Sequence, residues 1–188
     1  VARFGDDQSV ISFRRGRDAR TIPWRKCRGL DTMQLAARVA NAVAEHLPDA
    51  VFVDGGGVGG GVVDRLRQLS INCIDVNFGA NADDRRYLNK RAEMWGRMKE
   101  WLQGGAIPKY RDLHDDLIGV EYGYNMKNQI QLEKKEDMKK RGLASSDFAD
   151  ALALQFAYPV APKGIHTGPS EAAKARREYN PFERNRKR

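Results

Sequence analysis

The sequence predicts an α/β fold on a mixed sheet, with an antiparallel meander first, parallel βα units after it and helices on the flanks. Three observations carry this. Ser9-Val10-Ile11-Ser12-Phe13 alternates polar and apolar residues, as a half-buried strand does. Ala50-Val51-Phe52-Val53 and Ile71-Asn72-Cys73-Ile74-Asp75-Val76 read as two short strands flanking a helical segment at 62–69, which is the order of a βαβ crossover. Before them, Leu35, Val39, Val43 and Leu47 recur at helical spacing.

Each element has a local reason. Gly5-Asp6-Asp7 breaks the opening extended chain, and the polar bend at 14–20 returns it towards a second extended stretch at 21–27. Asp31 with Gln34 three residues on forms a capping box for a helix over 31–47, which Pro48 ends. Leu88, Ala92, Trp95, Met98 and Leu102 make a core-facing stripe on a helix stopped by Gly104-Gly105, with Trp101 at its edge. Asp83-Asp84 reads as a helix start and Asp115-Asp116 as a solvated segment. Val120, Tyr122, Ile130 and Leu132 flank a polar turn and predict a hairpin within 117–133; a basic helical stretch runs on to Arg141, and 147–157 is a short apolar helix. Residues 1–158 form one domain, and the Pro/Gly-containing, basic stretch 159–188 is a tail.

A formal net charge of +8 on 188 residues favours a polyanionic partner, because each basic group placed on a phosphate releases condensed counterions. Cys27 and Cys73 are the only cysteines and stand far apart, so neither a disulfide framework nor a zinc site is expected; a reducing cytoplasm fits. No run approaches the roughly 18 apolar residues of a membrane span, and the start lacks a signal-peptide pattern.

The carboxylates point to hard-metal chemistry. Two divalent ions roughly 3.5 to 4 Å apart can activate water on one side of a phosphodiester and stabilise the leaving oxygen on the other, and Mg2+ or Mn2+ takes oxygen ligands. Asp54 ends a buried strand, where an unpaired carboxylate is costly unless a metal or hydrogen bonds compensate it. Asp147 and Asp150 are three apart and share one face at the start of the last helix. For Asp147, helix capping and ligation are equally good readings, whereas Asp150 lies too far in to be a simple cap. Asp6 and Asp7 suit a turn on local grounds. His46, His114 and His166 lack metal-ligand spacing and read as structural or exposed.

A competing pattern sits in the same window. Gly55, Gly57 and Gly60 satisfy GxGxxG between a strand and a helix, with Asp75 ending the next strand, as in dinucleotide-binding units. Against it, the unit follows a meander, and Asp54 abuts the glycines, where a carboxylate repels a pyrophosphate. No GxxxxGK[ST] loop is present, so ATPase activity is not expected.

Several segments in order resemble the nuclease domain of the large terminase subunit of tailed bacteriophages and prophages. They are Val1-Ala2-Arg3-Phe4-Gly5-Asp6-Asp7 with Ser9-Val10; Val51-Phe52-Val53-Asp54 with glycines 55–61; Tyr87-Leu88-Asn89-Lys90-Arg91-Ala92-Glu93-Met94-Trp95; Gln131-Leu132-Glu133 to Met138-Lys139-Lys140-Arg141-Gly142; and Ser145-Ser146-Asp147-Phe148-Ala149-Asp150-Ala151-Leu152. The resemblance covers about residues 1–157. It implies a ribonuclease H-like sheet and an endonuclease that cuts concatemeric viral DNA during packaging into procapsids, with Mg2+ or Mn2+ at a two-metal site.

By position it implies Asp54 and Asp150 as catalytic metal ligands, Asp147 as an auxiliary ligand and Asp7 as an additional acid. The implied partners are double-stranded DNA, the portal protein and the small terminase subunit, in the host cytoplasm at the procapsid portal. Arg14, Arg15, Arg17, Lys134, Lys135, Lys139, Lys140 and Arg141 are candidate DNA-backbone contacts, with plain solvation the competing reading for each. In the family an ATPase domain precedes the nuclease in one polypeptide, and the first catalytic Asp directly precedes the segment that here begins at Val1. The expectation is therefore a separate nuclease piece of low or manganese-favoured activity. A ribonuclease H-like junction resolvase or recombinase, and a non-catalytic DNA- or portal-docking role, are the alternatives; a dinucleotide-binding protein ranks last.

Overall fold

The structure is a computed structural model that describes residues 8–163. The opening meander is present and short: β1 (Ser9–Ile11) pairs antiparallel with β2 (Arg25–Cys27), Val10 opposite Lys26. Arg15 and Asp18 exchange backbone hydrogen bonds of 2.7 and 3.0 Å across the bend between them.

The first helix, α1 (Thr32–His46), begins as the capping box requires. The Asp31 carboxylate accepts the Gln34 N–H at 2.7 Å, and the Gln34 side-chain oxygen accepts the Asp31 N–H at 3.1 Å. Such a cap contributes about 1 kcal/mol. The helix ends at Leu47 in the left-handed region (φ 46°), directly before Pro48.

The crossover is also as expected. β3 (Phe52–Asp54) and β4 (Ile74–Val76) pair in parallel, with Val53 opposite Asp75 and Asp54 opposite Val76, and α2 (Gly59–Gln68) connects them. Strand alternation then sorts the residues. Val53 packs with Val62, Val63 and Leu66 under α1 and α2. Phe52 and Val76 join the larger core on the opposite face, so Asp54 faces that side too.

That core is organised by α3 (Lys90–Leu102) and α6 (Asp147–Leu154). Asn89, not Asp83 or Asp84, caps α3 by accepting the Ala92 N–H at 3.0 Å. Ala92, Trp95 and Met98 are buried as the stripe predicts, but Leu88 lies before the helix and is 40 % exposed. The helix also buries Lys90 and Glu93, which no apolar stripe predicts. Glu93 takes Lys90 at 3.0 Å and Arg97 at 2.6 Å, together with the Asp83 and Asp84 backbone N–H groups, and so holds the preceding loop on the helix.

The hairpin β5 (Tyr122–Tyr124) and β6 (Ile130–Leu132) and the basic helix α5 (Lys135–Lys140) fall where expected. Reading Asp115-Asp116 as a solvated segment needs correction. Both lie on α4 (Arg111–Gly119), whose fully buried Leu113 anchors it to the core, and only Asp115 is exposed.

The mixed sheet is divided rather than continuous. Among the described residues the strands form three two-stranded pairs, two antiparallel and one parallel. A cavity of about 650 Å³ lies where β1 and β3 would meet, bordered by Ser9, Val10 and Ile11 on one side and Phe52, Val53 and Asp54 on the other. The hydrogen-bonding edges are thereby kept apart. Residues 159–163, the first part of the expected tail, return to the α1–β3 turn, where Lys163 donates to Asp49 and to the Pro48 carbonyl, each at 2.6 Å. The remainder of that stretch, 164–188, lies outside the described residues. Among the described residues no helix is long and apolar enough to cross a membrane.

Candidate active site

Asp54, Asp147 and Asp150, nearly a hundred positions apart in sequence at the extremes, line the same cavity. β3 delivers Asp54 at its carboxyl end, and α6 packs against both β1 and β3, which carries its first turn to the same place. Asp54 accepts the Gly56 N–H at 3.2 Å. Burial pushes its carboxyl above the usual carboxylate range; Asp150 adds to that shift and Lys135 opposes it. The two acids therefore sense each other's charge. Asp7 lies outside the described residues, as does His166.

Asp150 is 6 % exposed and fully engaged. Its Oδ1 accepts from Arg91 Nε at 2.9 Å and from Trp95 Nε1 at 2.8 Å; its Oδ2 accepts from Ser146 Oγ at 3.2 Å. Arg91 also donates to Ser146 Oγ at 2.9 Å and to the Glu133 carbonyl at 3.3 Å. Trp95, expected only as core packing, thus also carries a polar duty. Asp147 accepts from Ser145 Oγ at 2.8 Å and from the Gln8 N–H at 3.4 Å.

A cation stands between these carboxylates. Lys135 Nζ lies 3.4 Å from Asp150 Oδ2 and 3.9 Å from Asp147 Oδ1, on a side chain about half exposed. The sequence offers Lys135 as a DNA-backbone contact or a solvated side chain, not as a partner of these acids. As they stand, no three His, Cys, Asp or Glu side chains among the described residues converge to enclose a metal. The donor set is nevertheless all oxygen and already gathers around one positive charge, which is the chemistry a hard divalent ion needs. Lys135 must give way for such an ion to reach Asp147 and Asp150.

A fourth acid belongs to this neighbourhood and was missed. Asp116 Oδ2 accepts the backbone N–H groups of Phe148 at 2.8 Å and Ala149 at 3.2 Å, capping α6 from another helix. Burial pushes its carboxyl up to about 6 against those two hydrogen bonds, with Asp147 and Asp150 reinforcing the rise. Capping of α6 is therefore done by Asp116 rather than by Asp147. Nothing local marks Asp116, since an acidic pair on a short amphipathic segment looks solvated.

The basic candidates divide. Arg15, Arg17, Lys134 and Lys139 are exposed. Arg14 donates to the Gly16 and Gln155 carbonyls at 2.9 and 3.2 Å, and its guanidinium lies 4.7 Å from the Phe156 ring centre. Lys140 pairs with Asp137 at 2.8 Å, and Arg141 with Glu121 and Glu133 at 3.0 and 2.5 Å.

The glycine tract serves carboxylates rather than presenting an open anion site. A Cβ on Gly55 would stand 1.9 Å from Asp75 Oδ1, so only glycine lets the β4 side chain cross there. With Asp54 on the Gly56 N–H as well, two negative groups already occupy the approach a pyrophosphate would need.

The fold is a ribonuclease H-like α/β arrangement shared with nuclease domains of phage large terminase subunits. The nuclease domain of the large terminase subunit of bacterial virus Sf6 superposes with a TM-score of 0.71 at 18 % identity, over 85 % of this chain and 86 % of that one. A variant of the same domain with manganese and β-thujaplicinol gives 0.70 at 18 % identity over the same shares. The large terminase nuclease of thermophilic phage G20c with bound magnesium gives 0.55 at 14 % identity, over 82 % of this chain and 84 % of that one. No protein-family profile and no curated protein sequence matches the chain.

Proposed function

We propose that this chain is a divalent-metal-dependent endodeoxyribonuclease that cuts duplex DNA during phage genome packaging, with Asp54 and Asp150 as catalytic metal-holding carboxylates. The observation that carries the reading is the meeting of acids from β3 and α6 in one cavity, the α6 pair beside a cation, on a fold shared with terminase nucleases. Asp147 is the auxiliary ligand. Mg2+ or Mn2+ ions held there would neutralise charge on the scissile phosphate and activate water as the nucleophile. Arg91 and Trp95 fix the Asp150 carboxylate in one orientation, so its geometry is set before substrate arrives. Exposed Arg15, Arg17, Lys134 and Lys139 are the DNA-backbone contacts. On this reading the chain works in the host cytoplasm at the procapsid portal, beside the small terminase subunit.

The test is supercoiled-plasmid cleavage with Mg2+ or Mn2+ against a chelator control, with a four-way junction as competitor. Nicking and linearisation that need the metal and ignore the junction support the proposal. Cleavage unaffected by chelator defeats it, and strong junction preference would point to a resolvase.

Lys135→Ala is expected to tighten Mn2+ binding about tenfold, the scale of 1.4 kcal/mol for relieving competition by one partly buried ammonium. Isothermal titration calorimetry measures it; unchanged or weaker binding would show that Lys135 does not occupy the cation position.

A further inference from the structure

We propose that Asp116 is a positioning residue for this site: by capping α6 from outside, it sets where the Asp147 and Asp150 carboxylates stand. The inference rests on the nuclease reading for its functional meaning but on hydrogen-bond geometry for its substance.

The first N–H groups of any helix have no partner within it, and the residue preceding the helix commonly supplies one from its side chain. Ser146 occupies that place before α6 and has the right chemistry, yet it makes no cap bond. Its hydroxyl is turned into the helix, donating to Asp150 Oδ2 and accepting from Arg91. The vacated role passes to Asp116, whose single Oδ2 takes the Phe148 and Ala149 N–H groups. The division of labour is specific: the local serine holds the acid, and a distant acid holds the helix.

Phe148 directly follows Asp147, and Ala149 directly precedes Asp150. A movement of this cap is therefore a movement of both carboxylates. The support is rigid, because Leu113 on α4 is fully buried in the same cluster as Phe148 and Ala149. The arrangement also sets three carboxylates at one helix end, where Asp147 and Asp150 each act unfavourably on a charged Asp116.

The experiment compares Asp116→Asn, which keeps an acceptor in place, with Asp116→Ala, which removes it, and Asp116→Glu, which displaces it by one methylene. Carboxyl 13C resonances of Asp147 and Asp150 and amide exchange at Phe148 and Ala149 are read without metal, and Mn2+ affinity by calorimetry. Asn is expected to leave Mn2+ affinity within about threefold of the parent and both resonances in place. Ala is expected to weaken Mn2+ binding at least about tenfold, shift both resonances and speed amide exchange, with Glu intermediate. If Ala does not fold, the Asn and Glu pair decides by the same criteria. Unmoved Asp147 and Asp150 resonances in Ala, or in Glu where Ala is unfolded, overturn the positioning role. Should the parent bind no Mn2+, the nuclease reading falls, and the metal-free resonances still decide this one.

Discussion

Arg91→Ala is expected to destabilise the protein by about 3 to 5 kcal/mol, because it leaves the Asp150 charge in the core without its main partner. Arg91 and Asp150 are both largely inaccessible, and the guanidinium also ties Ser146 and the Glu133 carbonyl to the same point. The remaining hydrogen bonds to Asp150, from the Trp95 indole and the Ser146 hydroxyl, are neutral, and Lys135, 3.4 Å away on a side chain about half exposed, offsets the buried carboxylate only in part. Urea unfolding should show the loss, accompanied by a fall in Tm on the order of 10 °C for a chain of this size. Adding Asp150→Leu to Arg91→Met should restore much of it, since a neutral pair of similar volume removes the charge problem. A single substitution costing less than about 1 kcal/mol would mean that the pair is solvated in a way the buried geometry does not allow.

The second expectation joins function to stability with opposite signs. Asp54→Asn should reduce cleavage by about 10³-fold, the scale of losing one preorganised electrostatic contact to a transition state. It should also raise thermal stability at neutral pH. Burial holds the Asp54 carboxyl above its unfolded range, so the folded chain favours the neutral form. The ionised group therefore disfavours folding at pH above its folded pKa, and that penalty fades as pH falls from there towards the unfolded carboxylate range. Asparagine carries no charge and still accepts the Gly56 N–H. The stability gap between variant and parent should be largest near neutral pH and close as pH falls, measured by thermal unfolding in chelator. Loss of cleavage with lowered stability at every pH would instead identify Asp54 as a structural acid. Metal binding should follow the same titration, weakening as acid protonates Asp54 at a higher pH than an ordinary carboxylate.

The local elements were legible because their causes are local. The capping box at Asp31 and Gln34 fixed the start of α1 to within a residue, and Pro48 its end, since both act on adjacent backbone groups. The βαβ order, the parallel pairing and the placing of Asp54 at a strand end followed from apolar runs and glycines within 27 residues of one another. The α4 helix was not legible. Its only fully buried side chain is Leu113, too little apolar periodicity to signal a helix in nine residues.

By itself, then, the sequence determined the α/β class, the helix and strand order apart from α4, and the placing of Asp54, Asp147 and Asp150 at element ends, because periodicity, caps and turn residues act within a few bonds. Only the tertiary structure decided the partners: Arg91 and Trp95 on Asp150, Lys135 between Asp147 and Asp150, and Asp116 on the first turn of α6. It alone also decided that β1 and β3 would border a cavity instead of sharing a ladder. Such contacts join groups up to 59 positions apart, and the energy of a charge depends on what surrounds it in space, which no window of neighbouring residues contains.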